Sequence, residues 1–137
     1  MTLNNQINAI ANREFGKSSE APNNYYLGLL LATPNPDGSG LTEVSTSGTG
    51  YARQVIGNNK TALSAALNGV VKNNAMITFP AAATVWGTIT DVAIFDSPTG
   101  GIPLYVSTQS TPKAFGAGDV AFFDIGDISF TVQNIID

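Results

Sequence analysis

Carboxylates are the side chains of this sequence best suited to chemistry, and two pairs stand close enough along the chain to be weighed. Asp91 and Asp96 lie five positions apart, on an expected strand and at its end. An odd separation on a regular strand sends two side chains to opposite faces. That strand alone therefore cannot supply the facing acid and base of a glycosidase. Asp124 and Asp127 flank Gly126 and could offer oxygen ligands to a hard cation. The spacing of a calcium-binding hand is missing, however, and aspartates in such turns ordinarily bond their own backbone. The sequence holds no histidine and no cysteine. That removes Ser-His-Asp and Cys-His catalysis, zinc and iron–sulfur sites, and disulfides. No catalytic residue, no cofactor-binding residue and no metal ligand is expected.

The remaining motifs read as structure. Gly38-Ser39-Gly40 and Gly48-Thr49-Gly50 lack the Gly-Lys-Ser/Thr ending of a phosphate loop. Asn59-Lys60-Thr61 fits a glycosylation sequon, but Met1 to Gly16 lacks the apolar core of a secretory leader. The six basic residues are scattered singly and form no nucleic-acid patch. Tyr25, Tyr26 and Tyr51 could stack on a sugar, yet tyrosines beside an apolar run more often pack in a core or an interface. Arg53, on one strand face with Tyr51, is placed to pair with a carboxylate.

Positioning falls to one domain, since 137 residues with 43% hydrophobic content make a single core. Only 12% of residues are charged and the formal net charge is −4, so Asn, Thr, Ser and Gly must cover the surface. Such a surface attracts neither phosphate nor anionic lipid, so nucleic acid and membrane are not expected partners. The apolar run around Leu27 to Ala32 is far short of the ~20 residues of a spanning helix.

Leu3, Ile7 and Ile10 recur at helical spacing, with Thr2 as a candidate N-cap and Gly16 as a stop. A helix this short does not hold itself together in water and must dock its stripe somewhere. From Tyr25 onward, short apolar runs alternate with Gly/Pro turns. Strands are expected over 25–33, 51–56, 75–79, 88–95, 102–107, 113–115, 120–125 and 128–135. Within 58–74 a helical spacing of Leu63, Ala66, Leu67 and Val70 competes with an Asn68-Gly69 turn. That segment reads as a loop with one short strand or helical turn. The predicted fold is all-β, an antiparallel, jelly-roll-like β-sandwich over residues 21–137. A short N-terminal α-helix and arm occupy residues 1–20.

One series of motifs carries a resemblance. Leu27-Gly28-Leu29-Leu30, Leu41-Thr42-Glu43-Val44-Ser45 and Gly50-Tyr51-Ala52-Arg53 come first. Ala75-Met76-Ile77-Thr78-Phe79-Pro80, Trp86-Gly87-Thr88-Ile89-Thr90 and Ala93-Ile94-Phe95-Asp96 follow. Thr99-Gly100-Gly101, Leu104-Tyr105, Thr111-Pro112-Lys113 and Ala117-Gly118-Asp119 complete it. In this order, over roughly Tyr25 to Thr131, the series resembles small tailed-phage and prophage virion proteins of the phage tail fibre type. The resemblance implies a β-rich, non-enzymatic virion component made in a host bacterial cytoplasm, with other virion proteins as partners. A capsid decoration protein of the phage head and a carbohydrate-binding module meeting a host surface glycan are the alternative readings.

Two further expectations concern named residues. A small domain without disulfides, low in charge and carrying an amphipathic helix gains by forming a homo-oligomer. Leu3, Ile7 and Ile10 are expected to pack as an assembly helix on a neighbouring subunit, the rival being a helix that caps its own sandwich. Trp86, the single tryptophan, is expected to be a structural anchor between the sheets.

Overall fold

The computed structural model describes residues 1–16 and 21–132. The chain begins with helix α1 (Asn4–Glu14), followed by strands β1 (Asn24–Leu30), β2 (Gln54–Gly57), β3 (Val70–Lys72) and β4 (Ile77–Thr78). Strands β5 (Gly87–Phe95), β6 (Tyr105–Phe115), β7 (Phe122–Phe123) and β8 (Ser129–Thr131) complete it. Four strands form one antiparallel sheet in the order β2-β1-β5-β6. Two antiparallel ribbons, β3–β8 and β4–β7, form the second layer. The fold is thus mostly β with one short N-terminal helix.

The central strands β1 and β5 are buried on both faces, which is why they read as near-continuous apolar runs rather than as alternating ones. Leu27, Leu29, Val92 and Ile94 face the ribbons and join Ile77, Phe79, Ile128 and Phe130 in the main core. Leu30, Ala93 and Phe95 face the other way and form a second cluster with Leu3 and Val106. Leu3 is fully buried there.

The first residues are sewn to the sheet. Leu3 N–H donates to Leu104 O at 2.9 Å and Val106 N–H to Met1 O at 2.8 Å, while Thr2 bridges Tyr105 in antiparallel register. Met1 to Leu3 therefore extend the sheet along the outer edge of β6. Thr2 is not the helix cap. The N-cap is Leu3, without a side-chain capping bond, and Thr2 Oγ1 donates instead to Thr131 O at 2.7 Å. Gly16, at φ 69°, follows the end of the helix in the left-handed region that glycine tolerates.

The strands expected over 51–56, 75–79 and 120–125 are found as the shorter β2, β4 and β7, and two segments differ more widely from their sequence reading. In 58–74 the Asn-Gly turn prevails over the helical spacing. Asn68 and Gly69 take φ of 52° and 78°, and Leu67 and Val70 exchange backbone hydrogen bonds of 3.0 Å. Two consecutive positive φ angles are the signature of a tight hairpin, and Asn-Gly accepts them at little cost. Tyr105 to Phe115 form one strand of 11 residues where two short ones were expected. Its pairing with β5 jumps from Asp91↔Thr108 to Ile89↔Lys113, so Gln109 to Pro112 bulge out. Proline cannot donate to a ladder, and a bulge of this kind blunts an edge against stray pairing. Residues 17–20 of the expected arm, and the last part of the expected 128–135 strand, lie outside the described residues. No helix among the described residues is long and apolar enough to cross a membrane.

Candidate functional site

Glu43, Tyr51 and Arg53 meet over β1. Arg53 Nε and Nη2 donate to Glu43 Oε2 and Oε1 at 2.9 and 2.8 Å, a two-pronged ion pair. Its Nη1 donates to Ser97 O and Gly100 O, each at 2.9 Å. The guanidinium lies 3.4 Å from the centre of the Phe95 ring, a cation–π contact. Tyr51 OH donates to Glu43 Oε2 at 2.5 Å and accepts the Leu29 N–H at 3.0 Å. The Arg53 side chain is 4% exposed and that of Glu43 20%. Burial pushes the Tyr51 phenol far above its ordinary range, and the hydrogen bond to Glu43 and its negative charge push the same way.

Gly28 makes this cluster possible, because a Cβ there would sit 2.8 Å from Phe95 Cε2 and 3.0 Å from Glu43 Oε2. The cluster ties the loop between β1 and β2 to the loop between β5 and β6. A small cavity of about 430 Å³ beside it is lined by Thr46, Ala52, Pro98 and Thr99 as well. The 41–45, 50–53 and 99–101 motifs converge here. Spacing alone could not name the carboxylate that Arg53 meets, since loop closure brings Glu43 to it.

Asp91 is fully buried, and hydroxyls surround its carboxylate. Thr33 Oγ1 lies 2.9 and 3.0 Å from its two oxygens, Thr90 Oγ1 donates at 2.7 Å, and Thr108 Oγ1 donates at 2.7 Å. Asp96 is exposed at the end of β5, so the structure does not bring the two together. Asp124 N–H donates to Asp127 Oδ2 at 3.0 Å, and buried Asn73 takes the Gly126 and Ile128 N–H groups at 3.1 and 2.9 Å. Those aspartates close a turn.

Trp86 is 4% exposed. Its Nε1–H donates to Thr49 O at 2.9 Å. Its ring meets Tyr51 edge-on at 5.5 Å and Phe79 at 6.3 Å, so an aromatic cluster backs the Glu43–Arg53 pair.

A groove of about 730 Å³ lies between the four-stranded sheet and the β3–β8 ribbon. Ile56, Ile94 and Phe130 line its buried part, while Asn58, Asn59, Lys60, Ala65, Asn74 and Val132 are its exposed residues. Tyr25 and Tyr105 line it too. Of the three tyrosines weighed for sugar stacking, only Tyr25 lies here. Tyr26 packs with the opposite cluster and Tyr51 is buried in the main core.

Helix α1 stands beside the groove. Gln6 Nε2 donates to Tyr105 OH at 3.0 Å. Burial raises the Tyr25 phenol above its ordinary value, Tyr105 and Asp96 adding to this and the Arg13 charge opposing it. Ile7 and Ile10 are half-buried, and Phe15 is 76% exposed. The groove escaped sequence reasoning because its walls come from segments far apart in the chain. Its sequence trace is the amide-rich stretch Asn58-Asn59, with Asn74 beyond.

No curated protein matches the chain. A family described as Podophage GP4 fiber I protein gp80 matches residues 2–131, a span that takes in α1 and every strand from β1 to β8. With the β-rich fold and the inward-turned polar clusters in place, this match over nearly the whole length shows that the chain belongs to that phage fibre family.

Proposed function

We propose that this protein is a non-enzymatic structural component of a tailed-phage virion, associated with the tail or its fibres and acting through contacts with other virion proteins. The family match over residues 2–131 carries this reading. The surface supports it, since large apolar side chains stand out on a chain with few charges. Phe15, Leu67, Val85, Phe122 and Ile125 are all exposed. Apolar side chains displayed in this way suit protein–protein contacts. The polar clusters point the other way, into the fold. Asp91 has no access to a substrate, and Arg53 spends its donors on Glu43 and two backbone carbonyls.

Quantitative mass spectrometry of gradient-purified particles tests the proposal. The chain should co-purify at a fixed stoichiometry to the tail proteins and remain after a salt wash. Its absence from washed particles would overturn the reading. Turnover of a host glycan by the purified protein, abolished by Asp96→Asn, would overturn the non-enzymatic part.

A further inference from the structure

We infer that the outer face of the β4–β7 ribbon docks a different virion protein, one that presents apolar side chains flanked by lysine or arginine. The inference rests on the proposed structural role and gives it a surface and a partner chemistry. The face follows from strand alternation. Ile77 pairs with Phe123 and Thr78 with Phe122, and Phe79 N–H donates to Ala121 O at 2.8 Å, so the pairing runs on past the two-residue strands. Ile77, Phe79 and Ala121 belong to the main core. Successive side chains leave a strand on opposite faces, and Met76, Thr78, Pro80, Val120, Phe122 and Asp124 are accordingly all exposed. The solvated face of an antiparallel pair is ordinarily polar, yet four of these six residues are apolar. Met76 is 58% exposed and Phe122 55%, and Ile125, in the adjoining turn, 65%.

Both ends of this face are pinned. Asn73 Nδ2 donates to Ala75 O and Asp124 O at 2.9 and 2.8 Å. At the far end Ala82 N–H donates to Asp119 O at 2.8 Å and Gly118 N–H to Ala82 O at 2.7 Å. From behind, the Phe79 and Phe123 rings meet edge-on at 6.3 Å. A surface ordered in advance loses little freedom on binding. Charge then selects the occupant. Asp119 directly precedes Val120, while Asp124 and Asp127 follow Phe123, and all three are exposed. Asp124 serves its turn through its backbone N–H and C=O, which leaves its carboxylate to face outward. Residues 73–84 and 114–132 hold no lysine and no arginine, so the apolar stripe lies between carboxylates that its own strands do not neutralise. A second copy laid on this face would set carboxylate against carboxylate. A partner with basic residues beside its apolar ones satisfies both, and like-charge opposition of the first kind costs several kcal/mol.

Photo-cross-linking in intact particles tests the contact. Particles are assembled with the full-length chain carrying benzoylphenylalanine in place of Phe122, irradiated, and the cross-linked peptides identified by mass spectrometry. The cross-link should fall on one segment of a different virion protein, with lysine or arginine within a few residues of it. Cross-links to a second copy of this chain, to a segment without a basic residue, or to nothing in particles that contain the chain would each overturn the inference. Two substitutions give a second readout. When Phe122→Ser or Asp124→Lys competes with wild type for assembly, its share in the particle should fall about 10-fold or more, as expected for an anchor residue. The purified variants should melt close to wild type, since exposed side chains of this kind contribute little to stability. Asp124→Lys removes no apolar contact, so it reads the charge of the face independently of packing. Incorporation of either variant at the wild-type level would sink this surface alone, while wild-type particles that lack the chain would sink the wider proposal together with it.

Discussion

Replacing Arg53 by methionine should cost this domain about 3 kcal/mol, because the guanidinium serves four acceptors and a ring at once. Two of its bonds go to the Glu43 carboxylate, two go to the carbonyls of Ser97 and Gly100, and its face rests on Phe95. Removing one partner of a buried ion pair costs ~3–5 kcal/mol, since the other charge is left without compensation. The lower end applies here, because Glu43 is 20% exposed and keeps its Tyr51 hydroxyl. The freed carbonyls belong to a surface loop and reach water. Methionine retains much of the packing volume, so the loss reports on the charge and its bonds.

Against a total of ~5–15 kcal/mol for a domain, this is a large share. At roughly 4 °C per kcal/mol it corresponds to about 12 °C in Tm. Urea unfolding followed by Trp86 fluorescence measures it directly, because Trp86 is the single tryptophan and packs on Tyr51 of the same cluster. Glu43→Met in the Arg53→Met background should cost far less than in wild type, with a coupling of about 2 kcal/mol. Salt should change little, because a buried pair is poorly screened. A loss below about 1 kcal/mol with no coupling would refute the structural role of this pair.

Three more outcomes follow from the same packing. Trp86→Ala should cost about 3–5 kcal/mol in urea unfolding, as for other large buried aromatics. A melting temperature within a few degrees of wild type would make Trp86 a surface contact. Leu3→Ala should cost about 2–5 kcal/mol in a monomeric preparation, because Leu3 is fully buried against Leu30, Phe95 and Val106 of its own chain. A neutral result would place Leu3 outside the core. Stability should hold up to about pH 10.0 and then fall, because the folded state keeps the Tyr51 proton while the unfolded chain releases it at its ordinary value of 10.0. Tyr51→Phe should flatten that slope, leaving the smaller share of Tyr25, which is raised in the same sense. An unchanged slope would contradict the burial of the phenol.

What was legible in the sequence was what local rules control. The core of β5 lay within the expected 88–95 run because a strand buried on both faces leaves an unbroken apolar record. Asn68-Gly69 was visible as a turn signal, and the rival helical spacing failed because propensities of a few tenths of a kcal/mol yield to a turn that seats a hairpin. The N-terminal stripe announced a helix but not where its apolar residues go. Leu3 enters the protomer's own core by backbone pairing with Leu104 and Val106, a long-range contact that periodicity does not encode.

The same limit explains the candidate sites. Arg53 was legible as a residue seeking a carboxylate. That the partner is Glu43, and that Gly28 clears the space above Phe95, depends on how loops close over the sheet. The groove combines Tyr25, loop residues 58–65 and Phe130, segments whose approach no window of sequence reveals. Trp86 was legible through its singularity and its place between two strands, and the Thr49 carbonyl that holds its indole was not.

The proposed place of the chain is the tail or fibre apparatus of a virion. Gold-labelled antibodies raised against the purified chain, imaged on intact particles by electron microscopy, test it most directly. The label should fall on the tail or its fibres in a fixed number per particle and leave the head shell bare. Label spread over the head would rule out a tail or fibre location and assign the chain to capsid decoration.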